Sequence, residues 1–189
     1  MKVDANEIRF RVCDESDLDA IVRLEQLAFE SLPDPSWLRK NGRDAFAACL
    51  QPPHVTLGAI YQGHLIAFAI LYHGGFSAEN LGQDLDAPKG LLPTIVNLKV
   101  VIVSPDYHGN TLQKRLSIRL EEMAVKEGMS LICTTVSPHN IYSLRNLEQM
   151  GYVHGKKLIK YDNRERLLLY KAIDRQGRKF SEAIMPYAY

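Results

Sequence analysis

The run Val101-Ile-Val-Ser-Pro-Asp-Tyr-His-Gly-Asn-Thr-Leu-Gln-Lys-Arg-Leu116 joins a β-branched apolar stretch, a proline, a short polar loop and the opening of an amphipathic helix. The first amides of a helix have no partner within it and lie at the positive end of its dipole. Strand, loop and helix start in that order build a cradle for an anion, and a ligand carrying a diphosphate is the expected occupant. His108, Gly109, Asn110, Thr111, Leu112, Gln113 and Lys114 make up the cradle. No Gly-Lys-Ser/Thr follows the loop, which argues against a P-loop phosphate enzyme. Asn110 and Gln113 also have the spacing of a capping box, so an ordinary capped helix is the plain alternative.

A second polar cluster follows the apolar stretch Leu131 to Val136. Asn140-x-x-Ser143 opens a short helix that Glu148-Gln-Met-Gly-Tyr152 closes. Read alone, Asn140 is an N-cap on a surface helix. The other reactive side chains give less. The six histidines, at 54, 64, 73, 108, 139 and 154, show no metal-ligand spacing. Cys133 lies in an apolar strand and reads as an inert core thiol. Lys99 reads as a snorkelling charge near a strand end. Lys114, Arg115 and Arg119 either reach toward phosphates or form the solvated face of their helix.

These residues need elements to hold them. Ile8 to Val12 alternates apolar and charged residues as a half-buried strand does. Ser16 is expected to cap a helix with Leu18, Ile21, Val22, Leu24 and Leu27 on its inner face, stopped at Leu32–Ser36. Trp37 to Leu50 reads as one or two short helices. Val55–Tyr61 and Leu65–Tyr72 form a hairpin around Gln62-Gly63-His64. Gly74 to Pro93 is a long irregular insertion, a lid or a mobile loop.

Thr94–Val103 is a strand and Thr111–Glu127 a helix ended by Gly128, with Leu112, Leu116, Leu120, Met123 and Ala124 inward. Leu131–Val136, the helix Ile141–Met150, and a hairpin of Tyr152–Tyr161 and Arg166–Ile173 complete the order. A mixed α/β (α+β) sheet flanked by helices follows, without the regular alternation of a doubly wound nucleotide fold. Residues 1–173 are expected to form one domain and 174–189 a tail whose aromatic end docks on the core or a partner chain.

The 189 residues carry a formal charge of +1 and are 46% hydrophobic. That balance disfavours a dedicated nucleic-acid binder or an anionic membrane surface. Three scattered cysteines suit a reducing compartment and argue against a disulfide framework or a zinc site. The first residues have no apolar core of a signal peptide, and no apolar run is long enough to span a bilayer. A soluble, cytoplasmic protein is expected.

Together the two clusters resemble those of the GNAT superfamily of acyl-CoA-dependent N-acetyltransferases. Val103-Ser-Pro105 is similar to the family's strand-end step, and His108-Gly-Asn-Thr-Leu-Gln113 to its Arg/Gln-x-x-Gly-x-Gly/Ala loop. Thr111 stands at a family glycine and Gln113 at the final Gly/Ala. Asn140-x-x-Ser143 with Glu148 to Tyr152 is similar to the segment whose Asn bonds the pantetheine arm.

The resemblance implies a mostly antiparallel sheet of six to seven strands with a splayed parallel pair, Leu98–Val103 and Leu131–Val136. It implies acetyl-CoA as cosubstrate, no metal, and a cofactor site of Val101, Ile102, Val103, His108 to Lys114, Asn140 and Ser143. Backbone amides of Val101 and Val103 would polarise the thioester carbonyl. Many relatives carry a tyrosine acid where this chain has Leu147, which leaves Tyr142 as the weak substitute. Some place a carboxylate in the central strand, where this chain has Asn97 and Lys99. The acceptor pocket would involve Glu25, Trp37 and the 74–93 segment. The expected partner is a small-molecule or peptide amine, and the protein a monomer or homodimer. A non-catalytic acyl-CoA sensor is the rival reading.

Overall fold

Seven strands form one sheet in the order β1-β2-β3-β4-β5-β7-β6 in the computed structural model, which describes residues 1–184. They are β1 (Arg9–Val12), β2 (Val55–Tyr61), β3 (His64–His73), β4 (Ile95–Val103), β5 (Leu131–Val136), β6 (Val153–Lys160) and β7 (Arg164–Ala172). The helices are α1 (Leu18–Glu30), α2 (Arg43–Cys49), α3 (Leu112–Lys126), α4 (Ile141–Gln149) and α5 (Arg175–Ile184). The β4–β5 ladder is parallel and pairs Ile95, Val96 and Asn97 with Leu131, Ile132 and Cys133. The pairings β1–β2, β2–β3, β5–β7 and β6–β7 are antiparallel. The expected mixed, mostly antiparallel sheet is therefore observed.

Two compact units divide the chain. The first comprises residues 1–72 and 99–120. Its core joins Ile21 and Leu24 of α1, Phe46 and Cys49 of α2, Phe68 and Ile70 of β3, and Val100 and Ile102 of β4. Phe46 meets Phe68 edge to face, with ring centroids 5.7 Å apart. Each such side chain contributes roughly 1.5–3 kcal/mol by leaving water. Ser16 does not cap α1. Asp14 caps a 3-10 turn, Glu15–Asp17, and α1 continues from that turn. Asp14 wins because its carboxylate accepts the Ser16 amide at 2.9 Å while Asp17 accepts the Asp14 amide at 3.0 Å. Leu27, expected inside, is half exposed.

The second unit comprises residues 73–98 and 121–184 of the described chain. Its core gathers Leu81, Leu85, Leu91 and Leu92 with Ile95, Leu131, Cys133, Leu168 and Tyr170. The 74–93 segment is thus neither lid nor loose loop: four of its leucines are core residues. Two asparagines fasten it. Asn80 donates to the carbonyls of Gly75 and Leu92, the latter at 2.9 Å, and accepts from the Gly82 amide. Asn97 accepts from the Leu81 amide and donates to the Glu79 carbonyl.

Beyond Asp174 the chain forms α5, a helix the sequence pattern did not announce. Asp174 opens it by accepting the Gly177 amide at 2.6 Å, and Phe180 and Ile184 pack on the leucine core. The aromatic end expected to dock, Tyr187 and Tyr189, lies outside the described residues.

Candidate functional site

Ser104 turns the chain out of β4, its amide donating to the Ile66 carbonyl at 2.9 Å. Pro105–Tyr107 makes a 3-10 turn, whose fixed proline φ suits its first position. Gly109 (φ 82) and Thr111 (φ 55) then take left-handed conformations on either side of Asn110. A Cβ at Gly109 would meet nothing within 4 Å, so this part of the loop faces open space. At Thr111, where the resemblance leads one to expect glycine, the backbone is left-handed, which a β-branched residue adopts only under strain. Its hydroxyl donates to the Asn110 carbonyl at 2.7 Å.

Asn110 does not cap α3. Its carboxamide donates to the carbonyls of Met1 (2.8 Å) and Tyr107 (2.9 Å) and accepts from the Val3 amide (3.1 Å). The capping-box alternative therefore fails at its first residue, and the loop keeps the features of an anion cradle: an exposed Gly109 and a helix start that Asn110 does not fill. Such a cradle suits a diphosphate, so these residues fit the cosubstrate the resemblance implies.

The arginines pack against the N-terminal segment. The guanidinium carbons of Arg115 and Arg119 lie 4.8 and 3.9 Å from the Phe10 ring centroid, and Arg115 donates to the Ala5 carbonyl. Burial and the neighbouring Arg119 charge pull the Arg115 pKa down. Lys114 remains exposed beside the loop. Along the end of β4, Val101 and Val103 are half-buried and alternate with the inward Val100 and Ile102. Lys99 places its ammonium 4.4 Å from the Tyr72 ring, itself stacked on His54 at 4.3 Å, so cation–π contact fixes it.

In the second unit, Asn140 caps α4: its side-chain oxygen accepts the Ser143 amide at 3.1 Å. Leu147 is buried at 3% exposure, whereas Tyr142 on the first turn is 73% exposed, so the two project differently from one helix. Tyr152, which closes the pattern, is buried, and its phenol is pushed up by burial and the Glu121 charge. Cys133 is a core thiol pushed up by burial, as expected of an inert one. Asn97 is committed to the 74–93 segment. No group of three or more His, Cys, Asp or Glu side chains among the described residues is arranged to hold a metal.

Of the residues expected in an acceptor pocket, Glu25 is buried with its carboxyl raised by burial, opposed by hydrogen bonds from the Asn41 amide (2.8 Å) and carboxamide (3.1 Å). Trp37 ends a 3-10 turn whose start Asp34 caps. Sequence reasoning did not find the segment 1–5 as a neighbour of the loop. Nothing in the local pattern around Asn110 signals that contact.

The family model described as "Acetyltransferase (GNAT) family" matches residues 18–152, more than half of the chain. A search of curated proteins found no match. Among solved structures, the chain is similar to YncA of Salmonella typhimurium with its cofactor acetyl-CoA, at 18% identity and TM-score 0.68, covering 90% of this chain and 96% of that one. It is also similar to the ribosomal-protein-S18-alanine N-acetyltransferase of Escherichia coli, at 19% identity and TM-score 0.66, covering 88% and 94%. An N-acetyltransferase of Staphylococcus aureus Mu50 matches at 16% identity and TM-score 0.68, covering 88% and 99%. At these identities the likeness is one of fold.

Proposed function

The chain belongs to the acetyltransferase (GNAT) family, and from that premise we propose that it moves the acetyl group of acetyl-CoA to a primary amine of a small molecule or peptide. The observation that carries this reading is the family match across both polar clusters. The open, left-handed loop before α3 supports it.

Acetyl-CoA supplies an activated acyl group and a thiolate leaving group. The chain's residues divide the remaining work. Amides from His108 to Lys114 hold the diphosphate, and Asn140 and Ser143 steady the thiol arm. Asn140 can do so with its amide hydrogens, because its oxygen serves the helix cap. Backbone amides of Val101 and Val103 donate to the developing oxyanion, which places them with Ile102 along the acyl group. Leu147 cannot protonate a thiolate, and the exposed Tyr142 is the one phenol on α4 that could, in competition with solvent. The protein is taken to act without a metal, in the cytoplasm, as a monomer or homodimer, and without nucleic-acid or membrane partners.

A buried leucine at the usual acid position favours a second reading, a non-catalytic acyl-CoA sensor. Calorimetry with acetyl-CoA and thiol release across an amine panel separate the two. The enzyme reading expects binding that Gly109→Trp and Asn140→Ala weaken at least roughly tenfold, equivalent to about 1.4 kcal/mol, together with amine-dependent thiol release. Tight binding with no release from any amine favours the sensor. Unchanged affinity in both folded variants removes the site assignment.

A further inference from the structure

The carboxamide of Asn110 makes three hydrogen bonds, two of them to residues more than one hundred positions away, Met1 and Val3. It stands between the left-handed Gly109 and Thr111. The Arg115 side chain ties the same N-terminal segment to α3 through the Ala5 carbonyl at 2.9 Å and packs on Phe10 of β1. Residues 1–5 are thereby bound to the loop at Asn110 and to the first turns of α3 at Arg115.

A cradle of backbone amides binds an anion well only when its shape exists beforehand, because the cost of ordering a loop is subtracted from affinity. A β-branched residue at positive φ keeps that conformation only where its surroundings over-determine it. Asn110 supplies that determination. Its three bonds tie the loop position to Tyr107 three residues back and to Met1 and Val3, using its own polar atoms on protein partners. We propose that Asn110 is a positioning residue for the cosubstrate, holding the diphosphate loop in its amide-presenting form by clamping it to residues 1–3. This makes the N-terminal segment a working part of the acetyl-CoA site. The inference rests on the reading of that loop as the diphosphate site.

The test is calorimetric titration of the full chain with acetyl-CoA, for the parent protein, Asn110→Ala, Val3→Pro and the double variant. Val3→Pro deletes the N–H that Asn110 accepts and leaves the loop's own residues intact. Each single variant is expected to weaken binding roughly five- to tenfold, the scale of one to two lost hydrogen bonds. The double variant should bind no worse than the weaker single, since both remove one clamp. The thermal midpoint without cosubstrate should fall by only a few degrees, which separates positioning from general loss of fold.

Parent binding with unchanged affinity in both single variants overturns the inference and leaves the function reading standing. A parent chain that does not bind acetyl-CoA overturns the function reading itself. Weakening by Asn110→Ala alone, with Val3→Pro at parent affinity, overturns the clamp in favour of direct contact. If Asn110→Ala fails to fold, Val3→Pro carries the test by itself.

Discussion

Thr111 is the residue at which this chain departs most visibly from the loop pattern it resembles, and its φ of 55° makes the departure costly. Glycine there would be free of strain; threonine keeps the same backbone at a cost of roughly 1–3 kcal/mol. Thr111→Gly should therefore stabilise the protein, although glycine's extra freedom in the unfolded chain returns up to about 1 kcal/mol of that gain. A net gain of about 1 kcal/mol raises the thermal midpoint by roughly 2–4 °C in a chain of this size. A midpoint several degrees lower would mean that the threonine hydroxyl, bonded to the Asn110 carbonyl, outweighs the strain. The departure from glycine was legible in the sequence, because residue type alone marks it. The bonds of Asn110 to Met1 and Val3 were not legible, because a capping box is a local pattern and those partners lie more than one hundred residues away.

At the scale of elements, period and punctuation carried the reading well where an apolar face was long. The strands β2 to β5 and the helices α3 and α4 fall within a residue or two of their expected bounds. The failures share one cause. The 74–93 segment has buried leucines without any period, so its role in the core appears only when Asn80 and Asn97 are seen fastening it. The helix α5 was hidden because Gly177 lies early in it, and glycine weakens a helix reading.

The structure gives that glycine a purpose. A Cβ at 177 would run into the Ser130 carbonyl oxygen, a backbone atom that β5 keeps from moving aside. Gly177→Ala, an exchange that favours helix by propensity alone, should instead destabilise by about 1–3 kcal/mol through overpacking. The thermal midpoint would fall by roughly 2–10 °C. A rise would show that α5 has room to shift and that Gly177 is incidental.

Across the whole molecule, a formal charge of +1 says little, because the informative charges are single buried carboxyls with opposite tendencies. Asp17 is held below the usual carboxylate range, first by the hydrogen bond from Arg11 (2.6 and 2.7 Å to its two oxygens) and also by the Asp14 amide. It contributes stability at pH values above its unfolded pKa of about 3.9, and that contribution disappears as pH falls through the lower folded value. Glu25 behaves in reverse. Burial raises its folded pKa, and the two Asn41 bonds only partly offset the rise. Its contribution is fully present below its unfolded pKa of about 4.3 and is lost as pH climbs through the folded value.

Glu25→Gln keeps a carbonyl oxygen for the Asn41 donors and removes the buried charge. Relative to the parent, the variant should gain stability between pH 4 and pH 7, whereas the deficit of Asp17→Asn should be nearly constant over that interval and shrink only as pH falls below 4. Urea denaturation at both pH values measures this. Equal destabilisation by Glu25→Gln at the two pH values would mean that the carboxylate is tolerated in place, with the Asn41 bonds outweighing desolvation. A buried glutamate would then be available, ionised, on the side of the first unit where an acceptor amine is expected.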